Sequence, residues 1–395
     1  MKTIRLKPAK DRSLLRRHPW VFDGAMASGG ADEGETVRVD SYEGQFLAWG
    51  AYSPQSRIRV RVWSFDAAQR INATFLRDRL VRAMALRQRL GIQSNGLRLV
   101  HGESDGLPGL VVDRYDDTLV AQFTACGVER WKDVIADALI EVTGCPRLYE
   151  RSDTSSRKLE GLSPATGWLR GQGETALTLN EHGWQLGLDV AQGHKTGYYL
   201  DQRDSRGLFY QYAQRLGWGQ VLNCFCYTGG FTVAALAGGA EHVVSVDASA
   251  PALQQAQANV ARNGFAAHRA SFVDADVNAS LRRYLDEGRQ FDAIVLDPPK
   301  LAPTVAHAER AARAYKDLNR LAFKLLAPGG VLFTFSCSGG IGVELFHKIV
   351  AAAGVEAGVD GAILQRLGGA SDHPMTISFP EGEYLKGLVV MRNDG

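Results

Sequence analysis

Three hydrophobic patterns follow one another along the chain. Residues 57–63, Arg-Ile-Arg-Val-Arg-Val-Trp, alternate polar and apolar as far as Val62, the period of a strand with one buried face. Residues 36–39 and 46–52 read as further short strands, following a turn rich in Gly, Asp and Glu at 29–35. Residues 71–90 change to a helical period. Leu76, Leu80, Met84 and Leu90 fall near one face, with Arg77, Arg79, Arg82, Arg87 and Arg89 largely off it. Residues 97–179 mix strands, a Gly-Leu-Pro-Gly turn at 106–109 and a helix at 129–142. From Val221 onward, short continuous apolar strands alternate with helices. Strands are expected at 221–225, 243–246, 271–276, 291–296 and 331–335, and helices at 231–237 and 251–263.

Continuous apolar strands separated by helices predict a parallel sheet covered on both faces. The fold class is therefore α/β, with a Rossmann-like domain over 185–395. A β-rich domain precedes it over 1–70, and a connector helix with a small α+β middle domain spans 71–184.

Composition alters this picture little. Of 395 residues, 45% are hydrophobic and 22% charged, ordinary for a globular chain with a sizeable core. The N-terminus is basic but lacks an apolar signal segment, and no run has the roughly 20 apolar residues that cross a bilayer. Five cysteines without framework spacing fit a reducing, cytoplasmic setting. Charge is more informative. Residues 1–100 hold 18 Lys and Arg against 9 Asp and Glu, whereas the whole chain is only +2, so the remainder is net acidic. Such segregation suits a polyanionic partner at the N-terminal part. Arg16, Arg17 and the alternating Arg57, Arg59 and Arg61 are candidates for nucleic-acid contact. An edge strand protected by arginines is the competing reading of 57–63.

Candidate chemistry concentrates at the ends of the expected strands. Gly229 and Gly230 let the backbone come close to a ligand where the first strand turns into its helix, and Asp247 ends the second strand, placed to hold a ribose diol. Asp276 ends the third, Asp297-Pro298-Pro299-Lys300 follows the fourth, and Ser336-Cys337-Ser338 follows the fifth. In doubly wound folds, strand carboxyl ends converge on a ligand crevice. The stretch 193–203 adds Tyr199 and Arg203 as candidate pocket residues, with helix capping as the plainer reading. Cys224 and Cys226 lie two apart, but no second pair accompanies them, and no metal site is expected. Glycine spacing other than G-x-G-x-x-G argues against an NAD-dependent reductase.

The segments NCFCYTGGF, VVSVD, VLDPPK, FTFSCSGG and SDHPMTISFPEGEYLKG resemble S-adenosylmethionine-dependent methyltransferases, and more narrowly the bacterial 23S ribosomal RNA cytosine-5 methyltransferases. The early HPWVF and RIRVRVW segments resemble a PUA domain, an RNA-binding module. The resemblance implies S-adenosylmethionine as cofactor, held by Phe225, Thr228, Gly229, Gly230, Asp247 and Asp276, with Asp297 at its edge. It makes Cys337 the nucleophile and Asp297 the reader of the target base, with Pro298 and Lys300 beside the RNA. His373, Glu381 and Glu383 are candidate bases for the C5 proton. The implied partner is 23S rRNA or a large-subunit assembly intermediate, and a homodimer is left open. Family members often carry Ser at the place of Cys226 and Phe at the place of Leu301, and Lys386 stands near where related uridine-5 enzymes place a glutamate. Two other functions stay open: methylation of a nitrogen on an rRNA base, which needs no cysteine, and a non-catalytic RNA-binding assembly factor.

Overall fold

The computed structural model describes residues 2–302 and 304–393. The chain divides into two compact units. The first comprises Met1–Leu179, Leu188–Leu200 and Ser371–Gly382; the second comprises Asn180–Gly187, Asp201–Ala370 and Glu383–Gly395.

In the first unit, a six-stranded sheet has the order Trp20–Phe22, Ile58–Ser64, Phe46–Tyr52, Thr36–Asp40, Thr3–Leu6, Met26–Ser28. Its core holds Ile4, Leu6, Val37, Val39, Val60 and Val62. A second sheet of five strands runs from Ala165–Arg170 to Gly96–His101. Residues 1–70 and 71–179 share this unit because their cores merge. Ala51 and Trp63 of the first sheet belong to the same cluster as Phe75, Leu80 and Val128. A Cβ on Gly127 would come within 2.4 Å of the Ala51 Cβ, which is how closely the short helix Cys126–Arg130 approaches the sheet.

Two sequence expectations need correction here. The strand Ile58–Ser64 lies between two others, so it is not an edge strand. Nor is its arginine face uniformly open. Arg61 is held by Glu103 at 2.8 Å and Glu160 at 3.1 Å, and Arg59 donates to the carbonyls of Ser53 and Pro54. Only Arg57 stays exposed. A desolvated guanidinium needs acidic partners, and here distant parts of the chain supply them. The helix Ala73–Arg89 departs likewise. Arg87, expected off the apolar face, is buried, pairing with both oxygens of Asp105 at 2.6 and 2.8 Å and donating to the carbonyls of Arg98 and Asp372. Leu90, expected on the apolar face, is exposed.

The second unit is built on a seven-stranded sheet: β1 Gln220–Cys224, β2 His242–Asp247, β3 Ala270–Asp274, β4 Phe291–Leu296, β5 Leu326–Ser336, β6 Gly361–Leu367 and β7 Lys386–Arg392. Their order is β3-β2-β1-β4-β5-β7-β6. Strands β1 to β5 are parallel, and β7 runs antiparallel to both β5 and β6. The central strands are apolar without alternation because helices cover both faces, and Val221, Leu222, Val243, Ile294 and Phe333 are buried. Strand order reverses between β1 and β4, so the carboxyl ends of these two open a crevice. No helix among the described residues is long and apolar enough to cross a membrane.

Candidate active site

The turn after β1 is the most constrained backbone in the second unit. Phe225, Tyr227 and Gly229 have φ of 58°, 48° and 79°, left-handed values that cost a residue with a Cβ about 1–3 kcal/mol each. Hydrogen bonds hold the turn in place. Cys226 N donates to Val246 O at 3.1 Å, Tyr227 N to Asp247 Oδ2 at 2.9 Å, and Asn259 Nδ2 to Thr228 O at 2.9 Å. Gly229 is required twice over: its φ suits glycine, and a Cβ there would sit 2.9 Å from the Ala256 Cβ. The helix Gly230–Ala237 starts from this turn.

Asp247 is half-buried and fixed by two backbone donors, Tyr227 N on Oδ2 and Ser249 N on Oδ1. Thr228 is buried and its Oγ1 has no hydrogen-bond partner, and the same holds for Gln202 Oε1. Buried polar atoms in that state mark places where a ligand or an ordered water completes the bonding. An orphan hydroxyl, a strained turn and an anchored carboxylate at the sheet's switch point fit a nucleoside cofactor. Asp276 is placed differently from expectation. Strand β3 stops at Asp274, and Asp276 caps the helix Val277–Asp286 by accepting from Ala279 N at 2.8 Å.

At the ends of β4 and β5, Asp297 and Cys337 come together through their loops. Cys337 Sγ lies 4.0 Å from Pro298 O, the outer limit for a thiol contact. Ser338 Oγ accepts from Leu301 N and Ala302 N, both at 3.0 Å, and meets the Tyr315 hydroxyl at 3.0 Å. The serine thereby fastens the Asp-Pro-Pro-Lys loop to the cysteine turn. Gln202 Nε2 donates to Asp297 Oδ2 at 3.0 Å. Pro298 is buried and Lys300 exposed. Below the turn, Lys386 Nζ is buried and donates to Ser338 O at 2.9 Å and Tyr384 O at 3.0 Å. Burial pushes its pKa down, while Cys337 and Glu383 act in the other direction. A positive Lys386 and a thiolate at Cys337 therefore stabilise one another.

The remaining cysteines offer no competing nucleophile. Cys126, Cys145, Cys224 and Cys226 are buried, and Cys337 is half-buried. Burial pushes the Cys126 thiol up to about 12, raises Cys224 too, and raises Cys226 with help from the Asp247 charge. Thiols in that state stay protonated and inert.

Several candidates lie in the first unit or serve packing. Tyr199 belongs to the first unit, where its hydroxyl is 3.2 Å from His194 Nδ1 and Lys195 sits 4.3 Å from its ring centre. Arg203 is buried in the second unit beside Asp204. His373 is a first-unit residue, buried, with Nδ1 at 2.9 Å from Asp372 Oδ1. Glu381, also in the first unit, pairs with His18 at 3.2 Å. Of the three candidate bases, Glu383 is the one that belongs to the second unit, and it is exposed. Arg16 and Arg17 are exposed on the first unit. Ser338 was visible in the sequence as a flank of Cys337, and Gln202 within the stretch 193–203, but neither with its role. Tyr315 and Asn259 act through contacts that no local pattern announces.

The model for S-adenosylmethionine-dependent methyltransferases matches residues 157–360, and that for a PUA-like domain matches residues 4–65. A protein of Shewanella denitrificans named ribosomal RNA large subunit methyltransferase I is 47% identical, the match covering 98% of each chain. Its namesake from Alteromonas mediterranea is 47% identical over 97% of each. A solved structure from Streptococcus mutans, titled on a provisional footing as a SAM-dependent methyltransferase, matches with a TM-score of 0.85. At 21% identity, over 99% of this chain and 100% of that one, the likeness is one of fold.

Proposed function

Because the chain belongs to the S-adenosylmethionine-dependent methyltransferase family, we propose that it methylates C5 of a cytosine in 23S ribosomal RNA through a covalent bond to Cys337. One observation carries the chemistry: a half-buried thiol at the end of β5, facing the Asp297-Pro298 loop, in a chain whose other four cysteines are buried. The choice of substrate is supported by the relatives named as large-subunit rRNA methyltransferases and by the PUA-like segment.

Cytosine C5 is too electron-poor to take a methyl group unaided. Addition of the Cys337 thiolate to C6 moves electron density onto C5. S-adenosylmethionine, when bound, supplies an electrophilic methyl group on a sulfonium. Thr228, Gly229, Gly230 and Asp247 would hold it, with Phe225 packed alongside. Asp297, sharing a proton with ring N3, withdraws charge from the base and eases the addition. Once C5 carries the methyl group, a base takes the C5 proton and the C6–sulfur bond breaks, restoring the ring and freeing Cys337. Glu383 is the candidate base that shares the second unit with Cys337. The Pro298 carbonyl, 4.0 Å from the sulfur, would accept from the exocyclic amine of the cytosine. The target base must leave any stack to enter.

Mass spectrometry of nucleosides from 23S rRNA, with and without the gene, tests the reading. Loss of one 5-methylcytidine is the expected result. Loss of an N-methylated base would leave the family standing and remove the covalent role of Cys337.

A further inference from the structure

The first unit contains a cavity of about 390 Å³, lined among others by Arg17, Phe65, Arg79, Arg82, Glu103 and Asp105. A pocket of this size accommodates a nucleotide. Its charges are not balanced. Glu103 is already engaged by Trp20 Nε1 and Arg61, each at 2.8 Å. Asp105 is taken by the Arg87 fork and by His101 N. The lining carboxylates therefore serve residues behind the wall.

The lining arginines have no such partners. Arg17, Arg79 and Arg82 form no ion pair among the described residues, whereas Arg77 and Arg87 of the same helix have Glu141 and Asp105. Arg79 is half-buried, its Nε has no hydrogen-bond partner, and its one hydrogen bond reaches Trp63 O at 3.4 Å. Burial and the neighbouring Arg82 charge both push its pKa down, the behaviour of a cation held close to another with no anion between them. Arg17 lies over the Phe65 ring at 5.0 Å, forming a flat cationic face of the kind on which bases stack. Thr376 and Ser378 are also among the lining residues. A concave site with three guanidinium groups that form no ion pair among the described residues, and with a stacking face, selects a phosphate carrying a planar base.

We propose that this cavity binds a backbone phosphate of the substrate RNA on Arg79 and Arg82, with the adjoining base against Arg17 and Phe65. The proposal rests on the RNA-methylating reading above and adds a second point of attachment, in the first unit, to the base that enters the second.

The test is filter binding of a 23S rRNA transcript to the full chain over a salt series, with Arg82→Glu and the double variant Arg79→Gln/Arg82→Gln. Loss of one phosphate contact should lower the slope of log affinity against log salt by about 0.7–0.9, with roughly tenfold weaker binding at low salt. S-adenosylmethionine affinity should stay as in the unmodified chain. Arg82 is exposed, so the single variant serves if the double variant fails to fold. Unchanged slope and affinity in both variants would overturn the proposal. So would variants that lose binding of inorganic phosphate yet keep RNA affinity, since the site would then serve a free anion. 5-Methylcytidine formation by the unmodified chain is read on the same preparations. If it forms while the variants bind RNA normally, only the cavity assignment falls; if it never forms, the functional reading falls, and the salt slopes still decide the cavity.

Discussion

At the scale of residues, the site is organised by groups that never touch the reacting atoms. Ser338 takes two backbone donors from the Asp297 loop and a tyrosine hydroxyl, so the cysteine turn and the aspartate loop move as one piece. Lys386 stands beneath that turn with its ammonium on two carbonyls. Burial holds its pKa below the ordinary lysine value of 10.5, so the folded chain releases this proton at lower pH than the unfolded chain does. Stability therefore rises with pH between the folded value and 10.5, the window in which the unfolded state binds the extra proton. Thermal midpoints across alkaline pH check this: Lys386→Met should flatten the curve relative to the unmodified chain. It should also lower kcat roughly tenfold, about 1.4 kcal/mol, with the KM for S-adenosylmethionine unchanged. Parallel pH curves would mean that the lysine titrates alike in the folded and unfolded chain. The sequence showed Lys386 only as an odd residue near an expected glutamate. Its burial depends on β7 pairing with β5, a contact made across 50 residues.

At the scale of elements, strands and helices of the second unit were legible because parallel strands buried on both faces leave continuous apolar runs. The strand expected at 291–296 agrees with β4 to the residue, and the helix expected at 231–237 begins one residue earlier. Legibility failed where one element's polarity is answered by another. The alternating arginines at 57–61 were expected to contact nucleic acid or to protect an edge strand, yet Arg61 is neutralised by acids 42 and 99 residues away. Arg87 looked like a surface residue of a helix and is buried against Asp105. The glycine turn after β1, by contrast, announced itself, because only tight backbone geometry demands Gly229. Gly229→Ala should destabilise the fold by about 1–3 kcal/mol through its left-handed φ and the Ala256 contact. It should also weaken S-adenosylmethionine binding roughly tenfold, about 1.4 kcal/mol, as the turn shifts. Calorimetric unfolding and a methyl-donor titration measure both. An unchanged melting point with full binding would show that the turn relaxes freely.

At the scale of the whole molecule, the sequence revealed a basic N-terminal part and an acidic remainder, but not which segments pack together. Residues 371–382 return to the first unit from the far end of the chain, carrying His373 and Glu381 with them. That return cannot be read from local pattern, and it brings Glu381 to His18, while His373 pairs with its own neighbour Asp372. The proposed function rests on a single claim: Cys337 forms a bond to the base. The direct measurement is intact mass of the chain after incubation with S-adenosylmethionine and a 23S rRNA fragment containing 5-fluorocytidine, whose fluorine blocks removal of the C5 proton. A covalent role for Cys337 gives a stable protein–RNA adduct that is absent with Cys337→Ala. Adduct formation by that variant, or 5-methylcytidine made by it on unmodified RNA, would show that Cys337 is not the nucleophile.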